Sequence, residues 1–439
     1  MLPLLPVPMD VAQQAWIQIH AEERYRAGND VDAEETEIQP ELRYDAIWKG
    51  GNAHFVAIYQ PRFVYTDVFK TPDADPNVVN LGTISTYEPD AQGNGFHKAD
   101  PNKNPLSALQ NGGLGLELMY PRWRLSLYQF GAYGPVTTTT LLVQTPWNGD
   151  GYPVDPNPII PSTVAGRFTL LFLQTQAFAP IRVSRRLSIT PGFVYNAFGG
   201  ATSASRAAMA LTQGPGASVD VEYAATVNDR LVSHVGAGTV NTAFEGDRTG
   251  PTIYRGEATQ AWRHWYTGRL STEVTVGGSV GGDNINGSAA YSVTSVGLLY
   301  DTYSLVKLEP GAPAQGPPPG HGDRFQVGAV VKAGPWLDLF SGDLEERAVG
   351  VLATNYTVDR TTFRAQGAGA RVFNTPHSVA KYLLFSAEGG IRYAFSQTFS
   401  GEVGLRYGHQ DFSNAIRFNE IDQITVFGGL LWAPNPARF

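Results

Sequence analysis

Residues 386–408, SAEGGIRYAFSQTFSGEVGLRYG, decide how the rest of the chain reads. In the first arm Ala387, Gly389, Ile391, Tyr393 and Phe395 fall on one side, and Glu388, Gly390, Arg392 and Ala394 on the other. The chain then turns at Ser396-Gln397-Thr398. The second arm puts Phe399, Gly401, Val403, Leu405 and Tyr407 on one side and Ser400, Glu402, Gly404, Arg406 and Gly408 on the other. A period of two is the strand period, because successive side chains point to opposite faces of a sheet. A soluble sandwich would set its polar face against water and its apolar face against a core. Here one face mixes glycine with single charges of both signs, and the other is aliphatic with aromatics crowded toward the turn. That combination fits a membrane barrel: a wet lumen inside, lipid outside and an aromatic girdle at the interface.

Composition agrees. The 439 residues include no cysteine, which excludes disulfides, thiolate metal sites and covalent haem attachment. The 48 glycines are many for a soluble sheet, where interior glycine weakens a strand. Charged residues are 16% of the chain with a net charge of −8, and no basic stripe suggests nucleic acid. No run reaches the ~18 apolar residues of a spanning helix. The richest, residues 168–181, is interrupted by Gln174, Thr175 and Gln176. The mean hydropathy of −0.18 is compatible with a barrel, in which only alternate residues face lipid. The start, MLPLLPVPMD, has no basic region and is broken by Pro3, Pro6 and Pro8, so it does not read as a secretory signal. A barrel precursor would carry its signal ahead of this numbering.

Along the chain, short turns at 183–186, 228–230, 267–269, 359–360 and 396–397 alternate with longer Gly- and Pro-rich connections, giving a hairpin repeat of about forty residues. The expected fold is all-β: a single closed antiparallel transmembrane barrel of about eighteen to twenty strands, over 14–439, after an N-terminal segment 1–13. Pieces at 302–309 and 335–342 are the weakest strands. Segments 70–110, 135–164, 200–214 and 310–322 are expected on the outer face, and short turns such as those at Arg122, Arg186, Arg230 and Arg269 on the periplasmic face. Asp30–Glu37, with five carboxylates, reads as a solvated loop; a calcium loop is the sharper alternative, but the EF-hand spacing is missing. Trp262, Trp265 and Tyr266, beside His264, read as an interfacial belt, with sugar stacking as the alternative.

Two resemblances add to this. The terminal Phe439 resembles the aromatic C-terminus that bacterial outer-membrane barrels present to their assembly machinery, although Pro434 and Pro436 interrupt the approach to it. Glu23-Arg24-Tyr25 with Asn29, Gln39-Pro40-Glu41-Leu42-Arg43-Tyr44, and Tyr59-x-Pro61-Arg62-Phe63-x-Tyr65 resemble the early strands of outer-membrane barrels that partner exopolysaccharide export systems. That resemblance implies an outer-membrane location, surrounding lipid, and periplasmic export or envelope proteins as partners. Fold analogy alone does not fix function.

Parity places Glu41, Arg43, Asp45, Arg62, Glu117, Arg124, Asp220, Glu222, Arg255, Glu257, Glu273, Arg324, Lys332, Glu388, Arg392, Glu402 and Arg406 toward the lumen. An Arg or Lys facing lipid at the midplane would cost about 2–4 kcal/mol. These residues either brace the wall by cross-linking or line a mixed-charge pore, and the two roles are compatible. His409 and Ser413 suggest an outer-membrane hydrolase, but four residues in a strand separate them by about 13 Å, and a serine needs its base within about 3 Å. The remaining histidines, His20, His54, His97, His234, His264, His321 and His377, show no metal-ligand spacing. The expectation is therefore a channel for polar solutes or exported polysaccharide, with no cofactor and no enzymatic activity. A structural subunit of an envelope complex, or less readily a lipid hydrolase, remains open.

Overall fold

The computed structural model describes residues 11–28, 32–48, 51–70, 87–89, 96–98, 106–136, 168–207, 210–244, 246, 249–283, 287–302, 323–337, 344–374, 382–412, 420–435 and 437–438. The chain forms β1 (Val11–Gly28), β2 (Asp32–Trp48), β3 (Ala53–Tyr59 continued by Arg62–Lys70), β4 (Leu106–Met119), β5 (Arg124–Val136) and β6 (Phe168–Phe178 continued by Ile181–Arg182). Next come β7 (Leu187–Gly200), β8 (Leu211–Ala224), β9 (Asp229–Ala243), β10 (Thr249–Trp265), β11 (Leu270–Asp283) and β12 (Gly287–Asp301). The last six are β13 (Arg324–Leu337), β14 (Leu344–Val358), β15 (Thr361–Asn374), β16 (Tyr382–Ala394), β17 (Phe399–Phe412) and β18 (Glu420–Trp432).

Each strand pairs antiparallel with the next, and β1 pairs with β18 from Ile19↔Trp432 to Gly28↔Gln423. The sheet is thus a closed barrel of eighteen strands. The interruptions in β3 and β6 fall at Gln60-Pro61 and Ala179-Pro180, where proline has no N–H to give the ladder. Below the end of β18 the pairing resumes: Ala437–Arg438 bonds to Gln14 and Ala15 of β1. The break at Pro434 and Pro436 therefore shifts the tail along the seam without releasing it.

Side-chain alternation sorts the two faces. In the 386–408 hairpin Phe385, Ile391, Tyr393, Phe399, Val403 and Leu405 are exposed outward, while Glu388, Arg392, Glu402 and Arg406 lie on the opposite, inner face. Exposed aromatics form two belts. Tyr223, Trp262, Tyr356, Phe363, Tyr393 and Trp432 ring the end with the short turns, and Tyr25, Tyr65, Tyr133, Tyr254 and Phe385 ring the other end. An apolar outer band between aromatic girdles is what a bilayer demands of a barrel. This is a transmembrane barrel.

Three expectations change. The strands at 302–309 and 335–342 are not separate barrel strands, because β12 pairs directly with β13 from Thr294↔Ala333 to Asp301↔Gln326, and 335–337 belongs to β13. β12 therefore ends, and β13 begins, at the short-turn end, where the Asp301 amide donates to the Arg269 carbonyl. Segment 310–322, expected on the outer face, lies outside the described residues. The acidic stretch Asp30–Glu37 is not a solvated loop from Asp32 onward but the start of β2, and β1 begins at Val11 rather than at residue 14.

Single cysteines should report this topology on intact cells. Ser203→Cys, in the β7–β8 connection, is expected to react with an impermeant maleimide, and Asp229→Cys and Thr302→Cys to stay protected until the outer membrane is permeabilised. Surface labelling at Thr302→Cys would refute the placement of the end of β12.

Candidate functional site

The inner wall is built from cross-strand ion pairs. Toward the outer end of β1–β3, Glu37 accepts from Arg62 Nε at 2.6 Å and Nη2 at 2.7 Å, and also from Arg24. Arg26 donates to Glu35 at 2.7 Å, and Arg24 also contacts Glu22. Glu37, Glu35, Arg24 and Arg26 are only 2–5% exposed. Parity in the sequence places only Arg62 of this cluster toward the lumen, because Asp30–Glu37 reads as a loop. The alternation Glu35-x-Glu37 opposite Arg24-x-Arg26 is the signal that marks it.

Toward the turn end, Glu41 accepts from Gln18 at 2.8 Å and Gln60 at 3.1 Å. Arg43 bonds Asp45 at 3.1 Å and lies 5.1 Å over the Trp16 ring. His54 sits 3.8 Å from both Asp45 and Glu117, and Glu117 also accepts from Arg124 and the Tyr128 hydroxyl. On β8–β11, Glu222 meets Arg230 at 2.8 Å, and Glu273 meets Arg263 at 2.5 Å. Asp220 and Glu257 hold His234 between them at 2.6 and 3.2 Å, and Arg255 reaches Glu257 at 2.5 Å. Asp301 takes Arg324 at 3.1 Å and Gln326 at 2.8 Å, and Lys332 lies farther along the same face of β13. In the hairpin Glu388 accepts from Arg406 Nε at 2.8 Å and Glu402 from Arg392 Nε at 3.0 Å, and Arg364 lies between them as an ion-pair partner, 3.1 Å from Glu388 and against Glu402. Arg230, Arg263 and Arg364 were not singled out in the sequence; the first was read as a turn marker.

Two other expectations resolve differently. Trp262 is outward and its indole N–H donates to Asp229 at 3.0 Å, as a girdle residue should. Trp265 is 6% exposed, with Arg230 and Arg263 at 5.3 and 6.0 Å from its ring, so it belongs to the inner wall rather than the belt. His409 shares Asp422 with the Tyr407 hydroxyl at 3.0 and 2.7 Å; Ser413 lies outside the described residues.

Solvent reaches this wall unevenly. At the outer end the Arg24 cluster and the apolar group Val349, Val351, Ala368, Ala370, Val372 and Leu384 on β14–β16 are buried. The side chains of Arg43, Asp220, Arg255 and Arg392 are 36–48% exposed. A cavity of about 370 Å³ opens in the inner wall of β7–β10 beside His234 and Arg255.

No family model matches the chain, and no curated protein does. Among solved structures the barrel is similar to Pseudomonas aeruginosa OccK7 (OpdD), with TM-score 0.47, 9% identity, and coverage of 97% of this chain and 100% of that one. It is also similar to P. aeruginosa OccK11 (OpdR), with TM-score 0.45, 11% identity and 96% of each chain covered. Acinetobacter baumannii OccAB4 gives TM-score 0.45, 11% identity, and 96% of this chain against 98% of that one. Likeness at this level says nothing of a cargo.

The two kinds of ion pair should respond differently to truncation. Arg62→Ala leaves Glu37 buried with one guanidinium fewer, and stability in a urea titration of the refolded barrel should fall by about 3–5 kcal/mol. Arg392→Ala removes a half-exposed partner and should cost only about 0–1 kcal/mol.

Proposed function

We propose that the protein is a non-enzymatic conduit that lets small polar solutes cross the outer membrane. The observation that carries this reading is the inner wall: an eighteen-stranded barrel is wide enough for an aqueous channel, and its inward positions carry paired charges, hydroxyls and glycine. Paired charges give water and polar solutes hydrogen-bonding partners along the wall while leaving little net field. The barrel is surrounded by outer-membrane lipid.

Exported polysaccharide, handed over by a periplasmic apparatus, is a narrower version of this reading. It rests on the resemblance in residues 23–65, and the Arg24 and Arg62 of that pattern are engaged in the buried ion cluster.

In a planar bilayer the purified protein should give discrete conductance steps. Under a KCl gradient its reversal potential should lie near zero, because the wall charges are paired. Arg255→Ala should shift that potential toward cation preference by leaving Glu257 and Asp220 less compensated. A silent bilayer after verified insertion would remove the conduit reading and leave a structural barrel.

A further inference from the structure

We propose that the inner wall of β5–β10 is a binding track for the rings of an oligosaccharide. It consists of the row Phe130–Phe172–Phe198 and the glycine-floored cavity beside it. The inference rests on the conduit reading and names a solute class for it.

Three phenylalanines on adjacent strands face inward: the outward neighbours Leu127 and Tyr133 fix the parity of β5, and Phe172 pairs directly with Phe198. Their centroids follow one another at 5.7 and 6.1 Å, edge to face. All three are half-buried, so each keeps ring surface within reach of the lumen. Among the described residues the same face elsewhere carries ion pairs and fully buried aliphatics, and half-exposed aromatic rings in a wet lumen are unfavourable unless something apolar covers them. A pyranose supplies such a cover, since one face of its ring is C–H and its rim is hydroxyl.

The cavity next to Phe198 answers the rim. Gly214, Gly216, Gly236 and Gly238 form its floor. A Cβ on Gly216 would stand 3.2 Å from the Val194 side chain, and one on Gly236 would stand 2.9 Å from His234 Nε2, so side chains there would fill the space. On the bank, Glu257 is held by His234 and Arg255, and Asp220 holds the far side of the His234 ring just beyond the lining. A carboxylate has about four lone-pair positions, so both can accept sugar hydroxyls while Arg255 donates to sugar oxygens. Asp220, Glu257 and Arg255 together carry one net negative charge before His234 is counted. That balance disfavours an aromatic carboxylate, the other ligand with a flat apolar face. A flat hydrophobic surface with a few converging polar groups is the usual make-up of a small-ligand site.

Equilibrium dialysis of maltotriose against the detergent-solubilised, full-length barrel tests the site without requiring conduction. Saturable binding is expected. Phe198→Ala, Phe172→Ala and Asp220→Asn should each raise the half-saturation concentration about tenfold, one factor of ten per ~1.4 kcal/mol, and Phe198→Trp should retain binding. Asp220→Asn changes no volume, so it remains informative if the alanine variants fail to fold. Absence of maltotriose binding, binding unchanged in Asp220→Asn and Phe198→Ala, or binding of benzoate in place of maltotriose would each overturn the proposal. Binding by a barrel that does not conduct would sustain the site and sink the conduit; conductance without binding would do the reverse.

Discussion

In hydrocarbon an unpaired backbone N–H or C=O costs several kcal/mol, and an open sheet edge exposes a row of them. The seam between β1 and β18, from Ile19↔Trp432 to Gly28↔Gln423, removes that edge, and Ala437–Arg438 extends the cover over Gln14 and Ala15. Most other features follow from closure. An antiparallel ring has an even number of strands, so both termini stand at the end with the short turns. The strands then have one inner and one outer face throughout, and each residue's parity decides whether it meets lipid or lumen.

The inner face explains why glycine and charge alternate. Long charged side chains lie across the neighbouring strand to reach a partner, and glycine gives them room. A Cβ on Gly390 would stand 3.3 Å from Arg364 Nε, and one on Gly429 would stand 3.2 Å from His20 Nε2. Arg364 can therefore span Glu388 and Glu402 while its guanidinium lies 5.7 Å over the Phe427 ring. At Gly404 the Phe427 ring occupies the place of a Cβ, and the Gly389 carbonyl oxygen is 2.6 Å away. Glycine that would weaken a soluble strand here seats the wall's ion pairs and aromatic rings.

Exposure also varies across the wall. The Arg24 cluster is buried, whereas Asp220, Arg255 and Arg392 keep a third or more of their side chains exposed. A buried Arg–Glu cluster is held by its own geometry and is costly to break on one side only. Half-exposed pairs are weakly coupled and free to exchange partners with a passing solute. The same residue types thus act as bracing at one end and as a contact surface elsewhere, the difference being solvent.

The sequence by itself determined the all-β barrel, because a period-two pattern with lipid-compatible residues on one parity survives any arrangement of the strands. It determined the inward face of the 386–408 hairpin and of Arg62, Glu117 and Asp220, where the strand phase is unambiguous. Local phase failed at Asp32–Glu37, a stretch that reads as loop although Glu35 and Glu37 are inward and paired. Only the tertiary structure decided which residues meet. His234 is brought between Asp220 and Glu257 by the register of β8, β9 and β10, and Trp265 is turned inward against Arg230. The end of the barrel at which β13 begins depends on how many strands precede it, and that count is fixed by the β12–β13 pairing. Side-chain alternation is a property of one strand, legible from its own residues; register, strand count and closure are relations between strands, set by hydrogen bonds across hundreds of residues.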